Sequence, residues 1–210
     1  MMKKKLITTA IILTMVITVL GGCANNNSGN DDQFPRGTVT NNVYSSDFSG
    51  LRFTLPDDTW VYASDEEMTQ LMNGSVDMLN DAGIEAEQED VAAISIYDMI
   101  AREPASGNNV IILYENLKIS QGGLAYNAAD YLKAATEMLK ETGYYTDFSE
   151  ISEKTIGTET YAYQNIKGNI SGVDTNQYYF ARRSDDYMLS VIISLFDNNY
   201  NLESILANFS

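Results

Sequence analysis

Carboxylates are the main chemical resource of this chain, which contains 29 Asp and Glu residues, no histidine and a single cysteine. Because histidine is missing, the sequence excludes Ser-His-Asp and Cys-His catalysis, a histidine general base and the usual zinc ligand sets. It also lacks the glycine-rich motifs that bind nucleotide phosphates. Any chemistry or ion binding is therefore expected to depend mainly on acidic side chains.

One acidic cluster has the side chains of a weak calcium site, and it comprises Glu85, Glu87, Glu89 and Asp90. Ca²⁺ takes about six to eight oxygen ligands, which carboxylates can supply. The spacing does not match an EF-hand loop, so a solvated acidic loop is the competing interpretation. We expect no other metal and no cofactor, and a calcium-responsive binding module is one alternative function.

Carboxylates could also form a hydrolytic pair, as in glycosidases, where two acids lie ~5 to 10 Å apart and can be distant in sequence. No motif in this sequence marks such a pair. A non-catalytic binding protein is therefore the leading hypothesis, and a carboxylate-based hydrolase of envelope polymers is a second alternative. A hydrolase site would bring two acids into a deep pocket, and one of them would have a raised pKa.

Aromatic and arginine side chains in one predicted strand form the candidate binding surface. The chain has 14 tyrosines, and tyrosine gives a large contact area at low entropic cost. Alternation along the strand separates two faces, with Tyr178, Phe180 and Arg182 on one and Tyr179, Ala181 and Arg183 on the other. The competing interpretation is that Arg182 or Arg183 forms ion pairs with acidic residues across the sheet.

The net charge of −16 at pH 7 limits the possible partners. Nucleic acids and anionic lipid surfaces bind clustered Lys and Arg, which this chain does not supply. A cationic ligand, a metal ion or a basic partner protein is compatible with the charge, although acidity can serve solubility alone. A single cysteine cannot form a disulfide within the chain, so we expect the core to stabilise the fold.

The N-terminus has the pattern of a bacterial lipoprotein leader. Three lysines at positions 3–5 precede an apolar segment from Leu6 to Leu20, and two glycines then lead to Cys23. The sequence Leu20–Cys23 resembles the lipobox of bacterial lipoproteins. This resemblance implies diacylglycerol attachment to the Cys23 sulfur and cleavage after Gly22. It also implies an extracytoplasmic protein that is anchored to the bacterial cell membrane through its lipid.

A membrane-spanning helix is the weaker interpretation of this leader, because the apolar run is shorter than the roughly 20 residues that a spanning helix needs. A free thiol behind an ordinary secretory signal is the other alternative. Residues 1–22 are therefore predicted to be a signal peptide. Residues 23–33 carry the lipid and contain no apolar side chain after Cys23 and Ala24, so they are predicted to be a flexible linker.

Helical periodicity and end signals predict three helices. The first covers residues 65–82 and begins with a capping box formed by Ser64 and Glu67. The second lies between the N-cap Asn127 and the stop at Gly143, and a short third helix covers residues 202–208. Alternating or β-rich runs predict strands at 51–55, 91–102, 108–119, 148–156, 159–167, 177–183 and 187–196.

These elements predict one α+β domain at residues 34–210, with helices flanking a mostly antiparallel sheet. Their order, the sequence GLRFTLPDDTW at positions 50–60 and the late strand pair at 177–196 resemble the PsbP-like fold, an α/β/α sandwich. Members of that family are usually binding or assembly factors without catalytic residues. The resemblance therefore implies a non-enzymatic role in binding a protein or cell-envelope partner. It identifies no functional residue.

Overall fold

The computed structural model describes residues 34–81, 83, 87, 91, 94–119, 123–170 and 172–210, without the side chains of residues 75, 78 and 79. The predicted leader, Cys23 and the linker lie outside these residues. Eleven strands, numbered in chain order, are β1 Thr38–Thr40, β2 Val43–Ser45, β3 Arg52–Thr54, β4 Val61–Tyr62, β5 Ser95–Arg102, β6 Asn109–Asn116, β7 Tyr145–Phe148, β8 Ser152–Ile156, β9 Glu159–Ile170, β10 Val173–Ser184 and β11 Tyr187–Leu195. Three α-helices of this part of the chain are α1 Asp65–Asp81, α2 Ala128–Thr142 and α3 Leu202–Leu206, and a 3-10 helix covers Gly123–Ala125.

Eight strands form one antiparallel sheet, which confirms the predicted α+β class. Their order is β4-β5-β6-β11-β10-β9-β7, and β8 also pairs with β9. The two central β-rich runs, predicted as strands at 91–102 and 108–119, form β5 and β6 and pair in antiparallel register. Strands β1, β2 and β3 form a separate three-stranded sheet in which β1 is an edge strand. Among the described residues, no helix has the length and apolar character needed to cross a bilayer.

The first helix begins where its capping residues predict. The Glu67 backbone N–H donates to the Ser64 hydroxyl over 3.2 Å, and the Ser64 backbone N–H donates to the Glu67 carboxylate over 2.9 Å. This reciprocal bonding satisfies two of the free donors at a helix N-terminus. Along the helix, Met68 and Val76 are buried in the core. The helix therefore presents one face to the sheet.

The second helix also has both predicted ends. The Asp130 backbone N–H donates to the Asn127 side chain over 2.9 Å, and Gly143 ends the helix at a left-handed φ of 72°. The side chains of Tyr131, Leu132 and Leu139 are buried against the sheet. Because both ends and the apolar face are encoded locally, this helix follows directly from the sequence.

The predicted strand at 148–156 is confirmed for residues 152–156 but not as one continuous strand, because the chain forms two strands, β7 and β8, on either side of a turn. The Ser149 backbone N–H donates to the Asn165 carbonyl over 2.9 Å, and the Asn165 N–H returns a bond to the Ser149 hydroxyl. Strand β7 pairs with one end of β9 and β8 with the other. The long β9 therefore supplies both partners, which sequence periodicity does not reveal.

The core lies on both faces of the eight-stranded sheet. On one face, residues of α1 and α2 pack against inward side chains such as Leu113 and Tyr179. On the other face, Tyr44 and Phe53 of the small sheet and Ile205 of α3 pack against side chains such as Phe180. The sheet is therefore a buried middle layer, and its free surface is limited to edges and gaps between the covering elements.

Candidate functional site

The predicted aromatic surface on β10 is mostly part of the core. Tyr179 is 2% exposed beneath the helices, and Phe180 is fully buried on the opposite face. Tyr178 is half-buried, and its ring lies 6.5 Å from that of Tyr163 on β9. The prediction that these neighbours form a recognition surface is therefore wrong for Tyr179 and Phe180. Both sheet faces are covered here, and single-strand alternation cannot reveal this.

The two arginines of the candidate surface bind other parts of the chain. Arg182 forms an ion pair with Glu159 at 3.1 Å and donates to the Ser49 carbonyl over 2.9 Å. This contact confirms the competing interpretation of cross-sheet ion pairing for Arg182. Arg183 instead donates to backbone carbonyls, including that of Leu124 at 2.8 Å. Both guanidinium groups therefore hold elements together.

The predicted calcium cluster lies largely outside the described residues, which include Glu87 but not Glu85, Glu89 or Asp90. Glu87 is exposed. Across the described part of the chain, no group of three or more Asp, Glu, Cys or His residues is arranged to hold a metal ion. Calcium binding at this cluster therefore stays a prediction from the sequence.

A groove that the sequence did not reveal lies between α1, β5 and the N-terminal segment. It contains two cavities of about 320 and 260 Å³. Both cavities are lined by Arg36, Asp65 and Met68, which therefore stand at their junction. The volumes are at or just below the lower end of the range of small-molecule sites. We call this feature the α1–β5 groove, with the 320 Å³ cavity as its first cavity and the other as its second.

One wall of the groove is fixed by a buried carboxylate. A register shift between Tyr97 and Met99 places Asp98 at a bulge in β5, where its side chain is fully buried. Both carboxylate oxygens accept from the Gly37 backbone N–H at 3.0 Å, and one accepts from the Tyr44 hydroxyl. This carboxylate therefore clamps the N-terminal segment onto the large sheet.

The clamp also depends on Gly37 and Tyr44, both of which contact Asp98. A Cβ on Gly37 would lie 2.3 Å from the Tyr44 ring, so glycine is required for the close approach. Burial raises the pKa of the Tyr44 hydroxyl, and the neighbouring Tyr114 and Asp98 raise it further. The hydroxyl therefore keeps its proton and donates it in a hydrogen bond to Asp98. In this arrangement Asp98 is a structural acceptor.

Arg36 closes the clamp and also faces the groove. Its Nη2 donates to the Tyr97 carbonyl over 2.5 Å, and its Nε lies 3.5 Å from Asp98. Its Nη1 lies 3.7 Å from the carboxylate of Asp65, the first residue of α1. The side chains of Arg36 and Asp65 are 44% and 86% exposed, so this contact crosses the open side of the groove.

The interior of the first cavity is largely apolar. Its lining includes Met68, Met72 and Ile96, together with Thr69 and Tyr97. Ser95 also lines it, is 4% exposed, and its hydroxyl has no hydrogen-bond partner among the described residues. An apolar pocket with one buried polar group and charged groups at its rim has the composition of a ligand site.

The described carboxyls with displaced pKa values do not have the pattern expected of a hydrolase. Hydrogen bonds from the Ser64 backbone N–H and then from Arg102 hold the pKa of Glu67 below its ordinary value. The hydroxyls of Thr59 and Tyr200 likewise lower the pKa of the exposed Asp57. A general acid needs the opposite displacement. These two groups are therefore stabilised in the ionised form.

Comparisons with known proteins give little further information. No protein-family model matches the chain, and no curated protein matches it. A crystal structure of a protein from Bacteroides thetaiotaomicron VPI-5482 is similar at a TM-score of 0.39 and a sequence identity of 13%. The match covers 80% of this chain and 47% of that one, so this chain spans about half the length of its neighbour.

Proposed function

We propose that this protein is a lipid-anchored, extracytoplasmic binding module that holds a cell-envelope partner in the α1–β5 groove and performs no chemistry on it. The single observation that carries the binding role is the groove itself, with its apolar interior and charged rim. The lipid anchor rests on the lipobox pattern that ends at Cys23. The resemblance to PsbP-like binding factors supports the same role.

The position of the groove fits a tethered module. Phe34, the first described residue, packs on the rings of Phe48, Tyr114 and Tyr187 at centroid distances of 5.1, 4.7 and 4.9 Å. The groove wall begins two residues later at Arg36. A linker of residues 23–33 reaches at most ~36 to 40 Å when fully extended. A lipid on Cys23 would therefore keep the groove close to the bilayer surface.

The hydrolase alternative has less support from the groove. The two carboxylates that line the groove are Asp98 and Asp65. The Asp98 oxygens accept hydrogen bonds from Gly37 and Tyr44, and Asp65 is 86% exposed at the rim. A general acid requires a protonated, desolvated carboxyl near the reacting bond. We therefore keep binding as the function that the geometry favours.

Calorimetry with millimolar Ca²⁺ tests the calcium alternative. Absence of both a binding heat and a shift in melting temperature would exclude it.

Photocrosslinking in living cells tests the binding role. A photoreactive residue at Thr69 lies on the exposed rim of the groove, whereas one at Lys133 lies on the exposed face of α2 and serves as the matched control. We expect a defined adduct from position 69 and none from position 133. Equal labelling at both positions, or no adduct at either, would contradict a binding groove.

Membrane fractionation tests the anchor separately. We expect the native chain to sediment with membranes and to carry a lipid mass on Cys23, and a Cys23→Ala chain to lack that mass. Intact-mass spectrometry that found an unmodified thiol on the membrane-bound native protein would contradict the proposed anchor, whatever the crosslinking result.

A further inference from the structure

The rim of the α1–β5 groove holds one positive and one negative side chain that are only loosely paired. Nη1 of Arg36 and the Asp65 carboxylate are 3.7 Å apart, which is an ion-pair distance but longer than a hydrogen bond. Both side chains are substantially exposed, so their mutual attraction is weak in water. A ligand that offers each of them a closer partner can therefore open this contact at small cost.

Arg36 is held in place without exhausting its donors. Nη2 is fixed to the Tyr97 carbonyl, and Nε points to the buried Asp98 at 3.5 Å. Within the described residues, the contact made by Nη1 is the loose one with Asp65. A guanidinium has five N–H donors and matches a carboxylate or phosphate oxygen pair. The Arg36 side chain is therefore positioned to receive an anionic group.

The first cavity, next to this charged pair, suits an apolar group. Met68 is buried and lines both cavities, and Met72 and Ile96 also line the first cavity. Methionine side chains adapt to ligands of different shape. The Ser95 hydroxyl, buried and without a partner among the described residues, adds one polar contact in the same lining. Charged and apolar recognition are therefore adjacent in one site.

We infer that the α1–β5 groove binds a zwitterion whose anionic and ammonium groups are close together and which carries an apolar group. Arg36 binds the anion, Asp65 binds the ammonium, and the apolar group enters the first cavity. A single cation is a poorer ligand because Arg36 repels it, and a single anion is poorer because Asp65 repels it. This inference names the ligand class of the proposed binding groove and rests on that proposed function.

Two kinds of molecule in a cell envelope have this chemistry, and Arg36 and Asp65 would bind the charged groups of both in the same way. One is a free apolar α-amino acid, in which a carboxylate and an ammonium flank a single carbon. The other is the phosphoethanolamine headgroup of a lipid, in which the phosphate is the anion. The cavity of about 320 Å³ has room for a single apolar side chain or part of an acyl chain.

Titration calorimetry on the full lipidated protein, held in nanodiscs of phosphatidylglycerol, tests the inference. One arm uses L-leucine and the other a short-chain phosphatidylethanolamine. N-acetyl-L-leucine, which lacks the ammonium, and L-leucinamide, which lacks the carboxylate, are the matched probes. We expect saturable binding in at least one of the two arms. If leucine binds, each blocked form should bind at least about tenfold more weakly, which is the effect of losing one charge-assisted contact.

Two variants on the same helical turn give the protein control. Asp65→Asn removes the proposed ammonium partner, and Glu66→Gln removes the neighbouring charge outside the groove lining. We expect about a tenfold loss of affinity for the first and less than about a twofold change for the second. Far-ultraviolet circular dichroism of both variants establishes that α1 is intact.

The inference is overturned if neither source binds saturably. It is also overturned if the protein binds L-leucine and its blocked forms equally, or if the two variants lose the same affinity. These outcomes are distinguishable from failure of the proposed function. A site-specific crosslink at position 69 together with no zwitterion binding leaves a binding groove with a different ligand. No crosslink and no binding removes both.

Discussion

Removal of the Asp98 carboxylate is the perturbation that tests the groove wall most directly. The side chain is fully buried, and it accepts from the Gly37 backbone N–H and from the Tyr44 hydroxyl. An Asp98→Ala protein keeps both donors in a buried environment without their acceptor. It also leaves Arg36 without its buried counter-charge, which lies at 3.5 Å.

The expected loss follows from these contacts. Each hydrogen bond to a charged acceptor contributes about 1.5 to 3 kcal/mol, and removing one partner of a buried charged group costs about 3 to 5 kcal/mol. We therefore expect Asp98→Ala to lower the free energy of unfolding by about 3 to 5 kcal/mol. For a chain of this size each 1 kcal/mol shifts the Tm by about 2 to 4 °C, so the Tm should fall by roughly 10 °C.

Urea unfolding monitored by circular dichroism measures this loss. Asp147→Ala is the matched control, because Asp147 is also on a strand but is exposed and lies 3.9 Å from Lys167. We expect the control to change stability by less than about 0.5 kcal/mol. Tyr44→Phe completes a double-mutant cycle with Asp98→Ala, and a coupling energy above about 1 kcal/mol is expected for a direct bond.

Hydrogen exchange locates the effect of the same substitution. If Asp98 clamps the N-terminal segment, the amides of β1 should exchange faster in Asp98→Ala while those of α2 keep their protection relative to global stability. If Asp98→Ala loses no more stability than Asp147→Ala, Asp98 is not a stabilising clamp. Native protection of β1 in an otherwise folded Asp98→Ala protein would equally show that Asp98 does not hold the N-terminal segment.

Two further predictions concern backbone packing and pH. A Cβ at Gly168 would lie 2.2 Å from the Tyr144 carbonyl oxygen, so Gly168→Ala should destabilise the protein by about 2 kcal/mol or more, measured as a lower urea midpoint; an unchanged midpoint would contradict this close approach. The Ser64 N–H and Arg102 lower the pKa of Glu67 from an ordinary value of 4.5. The contribution of Glu67 to the free energy of unfolding is therefore present above pH 4.5 and is lost as the pH falls through the lowered pKa. The difference in unfolding midpoint between the native protein and Glu67→Gln should therefore be largest near neutral pH and shrink in acid, and a difference that is constant with pH would exclude this linkage.

The sequence by itself determined those elements whose signals are local. Asn127 and Gly143 mark both ends of α2, and the Ser64 and Glu67 capping box marks the start of α1. The gap between the predicted strands at 177–183 and 187–196 marks the hairpin turn, in which Asp185 adopts a left-handed φ of 52°. Such signals need only the contacts of one helical turn or one hairpin. They therefore predict the α+β class and two of the strand pairings, β5 with β6 and β10 with β11, without any long-range information.

Only the tertiary structure decided which surfaces are free. Alternation placed Tyr178 and Tyr179 on opposite faces of β10, but both faces are covered by elements distant in sequence. The groove joins Arg36 and Asp98, which are 62 positions apart, through a bulge that has no sequence signature in β5. Periodicity describes one element at a time, whereas burial and site geometry depend on how separate elements pack together. For that physical reason the fold class was predictable from the sequence, whereas the candidate site depends on the packing.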